Sequence, residues 1–217
     1  MSLTTWHSAL SVGNALARRY APEVNLFASA HDDTPQALAA LAALVPPGER
    51  IFVLQVPEIT VPPALVAVKE AKGVQMIATR RAPTAEGHKE FLRLTDADAP
   101  EMLALAKLTE PGPFLARTHT MGTFIGLRIG GRLAAMAGER CRFPGYTEVS
   151  GVCTHPDFRG RGLARRLSAA VAAGIEARGE QPFLHAWKTN RPAIALYESL
   201  GFEIRTEVNV AALERLA

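Results

Sequence analysis

Four arginines, at positions 159, 161, 165 and 166, crowd a stretch whose glycines, Gly160 and Gly162, separate an apolar run ending at Thr154 from a periodic helical segment. A helix N-terminus carries about half a positive charge, so a cation beside it costs up to roughly 1 kcal/mol. Gathering arginines there gains an isolated chain nothing. A bound polyanion reverses the sign: glycines let phosphate oxygens approach unpaired backbone N–H groups, and arginines add charge-assisted hydrogen bonds. The segment Arg159-Gly160-Arg161-Gly162-Leu163-Ala164 therefore reads as a pyrophosphate cradle, the alternative being a surface turn with solvated arginines.

No Lys-Ser or Lys-Thr follows the glycines, so the nucleoside triphosphate loop fails. A dinucleotide fold would want a third glycine and an acidic residue at the end of the next strand, whereas Glu180 precedes the strand expected at Phe183 to Trp187. Cys153 and His155 invite a thiol-nucleophile reading, but sequence adjacency says little about geometry, and a small buried cysteine accounts for Cys153. His155 and Asp157 have no third ligand at suitable spacing, and no metal is expected. With only Cys141 and Cys153 present, a disulfide framework is excluded and reduced, buried thiols are expected.

The elements that must position these residues follow from periodicity. A helix from Gly162 to Arg178 carries Leu163, Leu167, Val171 and Ile175 at four-residue steps and ends at Gly179. Upstream, Thr123 to Ile129, Leu133 to Arg140 and Tyr146 to Thr154 form an antiparallel meander, turning at Gly130-Gly131 and Pro144-Gly145. Downstream, Asn190 caps a helix through Leu200, Gly201 closes it and Phe202 to Val210 returns as a strand. A strand at Glu90 to Leu94 and a helix from Asp96 or Asp98 to Leu108, with Pro100 in its first turn, come before the meander, and a short helix follows Pro113. The order is β-α-(α)-β-β-β-α-β-α-β.

The first 85 residues read as a smaller α/β region. It has an amphipathic helix at Thr5 to Tyr20, a helix opened by Asp33-Thr34-Pro35 and strands at Ile51 to Leu54 and Val74 to Ile77, with Pro46-Pro47 and Pro62-Pro63 in loops. The polar segment Arg81 to His88 is the linker, which divides the chain into 1–85 and 86–217.

Over 217 residues the composition is 48% hydrophobic with a mean hydropathy of +0.06, as for a core-forming protein. No apolar run reaches the roughly 20 residues that span a bilayer, and Met1 to Trp6 lacks the regions of a signal peptide. A cytoplasmic protein without a membrane partner is expected. The net charge of +3 and scattered basic residues give no nucleic-acid footprint.

The run Val152 to Ala164 resembles the acetyl-coenzyme A signature of the GCN5-related N-acetyltransferase (GNAT) superfamily, Arg/Gln-x-x-Gly-x-Gly/Ala. Asn190 to Phe202 is similar to that family's late helix and following strand. The resemblance covers roughly residues 88 to 210, and within the superfamily it is nearest the FR47-like, glycine N-acyltransferase-related branch. It implies a mixed α/β fold with a central, mostly antiparallel sheet flanked by helices. It also implies direct transfer of an acyl group, most simply acetyl from acetyl-coenzyme A, to a primary amine in a cleft between two splayed parallel strands. Residues implied to meet the coenzyme are Val152, Cys153, Thr154, Arg159, Gly160, Arg161, Gly162, Leu163, Ala164, Asn190, Ala193 and Tyr197. The backbone at Val152 to Thr154 would hold the pantetheine arm, with Gly151 marking a bulge that opens the strand.

An amine of pKa about 10.4 is uncharged in only about one molecule per thousand at neutral pH, so a proton acceptor is useful. By the resemblance that base is Glu148, and Tyr197 faces the coenzyme sulfur; His185, at the end of the neighbouring strand, is the rival base, a core or surface histidine being the plainer account of it. Glu148 as a plain strand residue and Tyr197 as a packing residue stay open. The expected acceptor is a small-molecule amine or amino acid, in part contacted by Pro111 to Met121, with amino acid, polyamine, antibiotic and protein N-terminus all open, and a homodimer is compatible with the chain. A non-catalytic acyl-coenzyme A sensor is the competing function.

Overall fold

Where the helix after the glycine turn packs decides how the rest is arranged. The computed structural model describes residues 2–80 and 90–216, so the linker expected at Arg81 to His88 lies outside the described residues. The N-terminal portion holds β1 (Ser11–Gly13), β2 (Ala17–Tyr20), β3 (Ala28–Ala30), α1 (Pro35–Ala43), β4 (Arg50–Gln55) and β5 (Val66–Ala78). The remainder holds β6 (Leu92–Arg93), α2 (Ala99–Thr109), β7 (Phe124–Ile129), β8 (Arg132–Phe143), β9 (Tyr146–Thr154), α3 (Leu163–Ala177), β10 (Gln181–Trp187), α4 (Arg191–Ser199) and β11 (Phe202–Glu214).

Eight strands form one sheet in the order β4-β11-β5-β10-β9-β8-β7-β6, antiparallel throughout except between β9 and β10; β1, β2 and β3 form a separate small sheet. The expected mixed α/β architecture is the one observed. Two strands of the first 85 residues join the main sheet: β5 lies between β11 and β10, and β4 extends the sheet beyond β11.

The four-residue stripe of α3 explains its seat. Leu163, Leu167, Val171 and Ile175 are all buried, and with Val74, Met76, Val149, Leu184 and Phe202 they form the main core on one sheet face. α2 supplies Met102 and Leu105 to a second cluster with Phe114, Phe124, Met136 and Cys153. α1 packs Leu41 near Val45, Ile51, Val53 and Leu213 in a third.

Caps fall where expected. The Thr34 hydroxyl accepts the Ala37 N–H at the start of α1, and the Asn190 side chain accepts the Ala193 N–H at the start of α4.

The expected helix from Thr5 to Tyr20 is not formed. That segment is two short 3₁₀ turns followed by the β1–β2 hairpin. Asn14 is the reason: its side-chain oxygen accepts the N–H groups of Leu16 and Ala17 and makes a turn where helix would have to continue. A buried cluster then pins the segment, with His7 Nδ1 3.0 Å from Ser2 Oγ and 2.9 Å from the Tyr20 hydroxyl. The expected strand at Glu90 to Leu94 shrinks to Leu92–Arg93, and the short helix after Pro113 is a 3₁₀ turn at Thr118–Met121.

Candidate active site

On its β5 side, β10 is paired from Phe183 to Trp187. On its β9 side the pairing stops early, at Gln181 with Tyr146, Pro182 with Thr147 and Phe183 with Glu148. Beyond Glu148 the two parallel strands part, which leaves the β10-facing edge of β9 from Val149 to Thr154 without a ladder partner.

The expected bulge is present in that stretch. Met136 faces Cys153 and Gly138 faces Ser150, so two residues of β9, Gly151 and Val152, oppose one of β8. Gly151 has φ +62°, and a Cβ there would come within 2.8 Å of the Phe124 ring, so both conformation and space demand glycine.

At the far end of β9 the Thr154 Oγ1 is buried without a hydrogen-bond partner among the described residues. The chain then turns through Gly160 (φ +76°) and Gly162 (φ +70°), positions where an added Cβ would meet nothing within 4 Å. The first backbone bond of α3 runs from Arg166 N–H to Gly162 C=O, so the amides before it are the open ones of a helix start.

The four arginines divide. Arg165 is turned toward Ser199 and Arg166 pairs with Glu90 and lies over Phe91, whereas Arg161 lies over the Phe158 ring and Arg159 has no side-chain partner among the described residues. The charge left available to an anion at the turn is therefore that of Arg159 and Arg161. Leu163 sends its side chain into the core, so only its backbone remains for a ligand. An open strand edge, an orphaned hydroxyl and a glycine turn beside two guanidinium groups without an acidic partner among the described residues fit the arm and diphosphate of coenzyme A.

A cavity of about 180 Å³ occupies the parting between the strands. Val152, His185, Asn190, Ala193 and Tyr197 line it together, although they come from β9, β10 and the start of α4. The Tyr197 hydroxyl makes no hydrogen bond among the described residues, and burial, helped by the charge of Glu148, pushes its pKa up to about 12. It therefore stays a donor.

Glu148 is fully buried and stands behind the cavity wall rather than in it. Its carboxylate takes a bidentate pair from Arg140, Nε to Oε2 at 2.9 Å and Nη2 to Oε1 at 2.6 Å, together with the Cys141 N–H at 3.2 Å. Burial pushes this carboxyl up, but the Arg140 charge and hydrogen bonds, with His185, outweigh it and hold the group well below the usual carboxylate range. Oε1 also lies 2.7 Å from His185 Nδ1.

The network assigns the tautomer of His185. A carboxylate only accepts, so Nδ1 carries the proton. Gln75 fits this: its Oε1 accepts from Arg205 at 2.6 Å, which turns its amide nitrogen toward His185 Nε2 at 3.1 Å. Nε2 thus holds a lone pair.

Cys153 and His155 form no dyad. The Cys153 thiol is pushed up to about 11 by burial, while His155 Nδ1 accepts the Asp157 N–H and Asp157 pairs with Arg132. Both cysteines are free, Cys153 buried and Cys141 only partly so. Arg140 and Gln75 carry the site's geometry and were not foreseen. The available signal was the charged pair Glu139-Arg140 following the apolar run Leu133 to Ala137, on the strand before the one that carries Glu148.

A sheet whose two parallel neighbours part beside a glycine turn at a helix N-terminus has the architecture of an acetyltransferase, and comparison with known proteins agrees. The family model described as FR47-like protein matches residues 124–210. A solved structure described as a GNAT-family acetyltransferase from Novosphingobium aromaticivorans is 43% identical, with a TM-score of 0.92, over 100% of this chain and 96% of that one. The chain belongs to the GNAT family of acetyltransferases. A GCN5-related N-acetyltransferase from Kribbella flavida, 16% identical over 93% of this chain and 88% of that one with a TM-score of 0.60, shares the fold. A mycothiol acetyltransferase from Saccharomonospora viridis is 42% identical over 66 residues, 30% of this chain and only 22% of that protein. So short an overlap identifies no substrate.

Proposed function

We propose that this enzyme transfers acetyl from acetyl-coenzyme A to a primary amine by direct attack, without an acyl-enzyme intermediate. The observation that carries the reading is the early end of the β9–β10 ladder, which opens a strand edge and a cavity beside the Arg159-to-Gly162 turn.

In this account Arg159, Arg161 and the amides of the turn hold the diphosphate, and the open edge of β9 at Val152 to Thr154 holds the arm. His185 is the proton acceptor, because it lines the cavity and its Nε2 lone pair is directed by Glu148. Glu148 is a positioning residue, since both its oxygens are occupied and its pKa is held low. As the amine nitrogen bonds to the thioester carbonyl carbon its proton becomes acidic. Nε2 accepts that proton in exchange for the Gln75 amide, and the C–S bond then breaks.

Tyr197 donates a hydrogen bond to the departing sulfur. Full transfer from a phenol near 12 to a thiolate of conjugate acid near 8.5 would be uphill by about 5 kcal/mol. In this reading the acceptor is a small molecule, acetyl-coenzyme A is the cosubstrate and the reaction runs in the cytoplasm.

A thiol-release assay with acetyl-coenzyme A and pooled primary amines tests the proposal. Amine-dependent release with a product 42 mass units heavier supports it. Tight coenzyme binding with no release against any pool rejects it in favour of a coenzyme sensor.

A further inference from the structure

The cavity contains one more group that acetyl transfer alone does not use. Arg140 is nine-tenths buried on β8, with Nε and Nη2 committed to Glu148. Its guanidinium carbon sits 4.8 Å over the Phe27 ring, and Arg140 lines the cavity. The remaining nitrogen, Nη1, makes no hydrogen bond to any described residue, and a Cβ built on Gly112 would stand 4.0 Å from it, so the Pro111–Pro113 turn runs alongside. Two N–H donors thus face a cavity whose other walls are largely apolar, among them Phe27, Phe52, Leu54, Val208 and Val210. Donors that face a cavity are open to a ligand, and their natural complement is an acceptor atom on it.

The charges decide what kind of acceptor atom. Arg140 is already neutralised by Glu148, and among the described residues the other charged side chain lining the cavity is Glu110, which is exposed. With Arg140 and Glu148 cancelling, Glu110 leaves one negative charge, and that one is solvent-exposed. A ligand carboxylate on Nη1 would put a second anion on the one buried cation, whereas a neutral carbonyl would not. The same negative balance favours arrival of an ammonium group.

We infer that the acceptor is an apolar primary amine bearing a neutral carbonyl close to the nitrogen, an α-amino amide in chemical class, with that carbonyl held by Arg140 Nη1. The inference rests on the acetyl-transfer reading and narrows its substrate.

The test uses the whole enzyme with acetyl-coenzyme A and three acceptors of matched bulk: phenylalanine amide, phenylalanine and 2-phenylethylamine. Rates are expressed as kcat/KM per uncharged amine, which removes the differences in amine pKa. The expected result is phenylalanine amide ahead of both others by tenfold or more, as for one hydrogen bond from a charged donor. In Arg140→Lys both ratios fall below about threefold, whatever happens to the overall rate.

Phenylalanine or phenylethylamine matching the amide in the wild type overturns the inference, and so does an amide preference that survives in Arg140→Lys. Should the Lys variant not fold, the wild-type order decides alone. If none of the three reacts while polar amines release thiol, the inference falls and acetyl transfer stands. No release with any amine removes both.

Discussion

Replacing Glu148 by Gln removes one negative charge from a site with no solvent to compensate. In the native protein the carboxylate accepts four hydrogen bonds, from Arg140 Nε and Nη2, the Cys141 N–H and His185 Nδ1. Glutamine keeps one acceptor oxygen, and its NH₂ must confront a donor from Arg140 or His185. Breaking a buried pair by neutralising one partner costs about 3–5 kcal/mol. At roughly 2–4 °C per kcal/mol for a chain of this size, the melting temperature falls by about 6–20 °C.

The pH dependence has a definite sign. The Glu148 carboxyl is held below its ordinary value of 4.5, so the ion pair contributes fully above about pH 4.5 and is lost as pH falls from there toward the lower folded value. The gap between wild type and Glu148→Gln is therefore widest at neutral pH and narrows below about pH 4.5. The same change frees the His185 tautomer, and turnover drops by about 10²–10⁴-fold while coenzyme A binding, which uses other residues, is retained. Thermal melts from pH 7 to pH 4, with thiol release at pH 7, measure all three quantities. A shift under 2 °C at pH 7, or a gap that widens in acid, refutes the buried pair.

Tyr197→Phe removes the cavity's free hydroxyl, and kcat should fall by about 10–100-fold with KM little changed; with its pKa near 12, Tyr197 should contribute no titration to the rate profile below pH 10. Arg159→Ala with Arg161→Ala should weaken coenzyme A binding by about 10–100-fold and flatten its salt dependence in calorimetry, while Arg165→Ala, whose guanidinium is occupied by Ser199, should change it less than about threefold. Gly151→Ala forces a left-handed backbone on alanine and drives a methyl against Phe124, so stability should fall by about 1–3 kcal/mol in denaturant unfolding.

Local chemistry made the turn and its flanking elements readable. The α3 stripe, the Asn190 cap, the meander turns and the Gly151 bulge are all encoded within a few neighbouring residues. The partners of Glu148 are not. Arg140 reaches it across the β8–β9 hairpin, where a register shift between Glu139 and Arg142 sets which side chains meet, and His185 reaches it from a strand 37 residues downstream. Periodicity gives no account of either register. The placement of β5 was hidden for a related reason: it is joined to the sheet by long pairing with β11, more than 120 residues away, and its first five residues are exposed and carry no core pattern. At Thr5 to Tyr20, helix-like apolar spacing lost to the side chain of Asn14 and to the His7–Tyr20 contact, a tertiary override that the pattern does not show.

The most direct measurement is hydrogen exchange of the whole chain with and without coenzyme A, read peptide by peptide. The account predicts slowed exchange confined to Val152–Thr154 and Gly160–Arg165, where β9 gains an edge partner and the open amides of the turn gain a diphosphate. Unchanged exchange in both segments at saturating coenzyme, or protection only elsewhere in the chain, contradicts it.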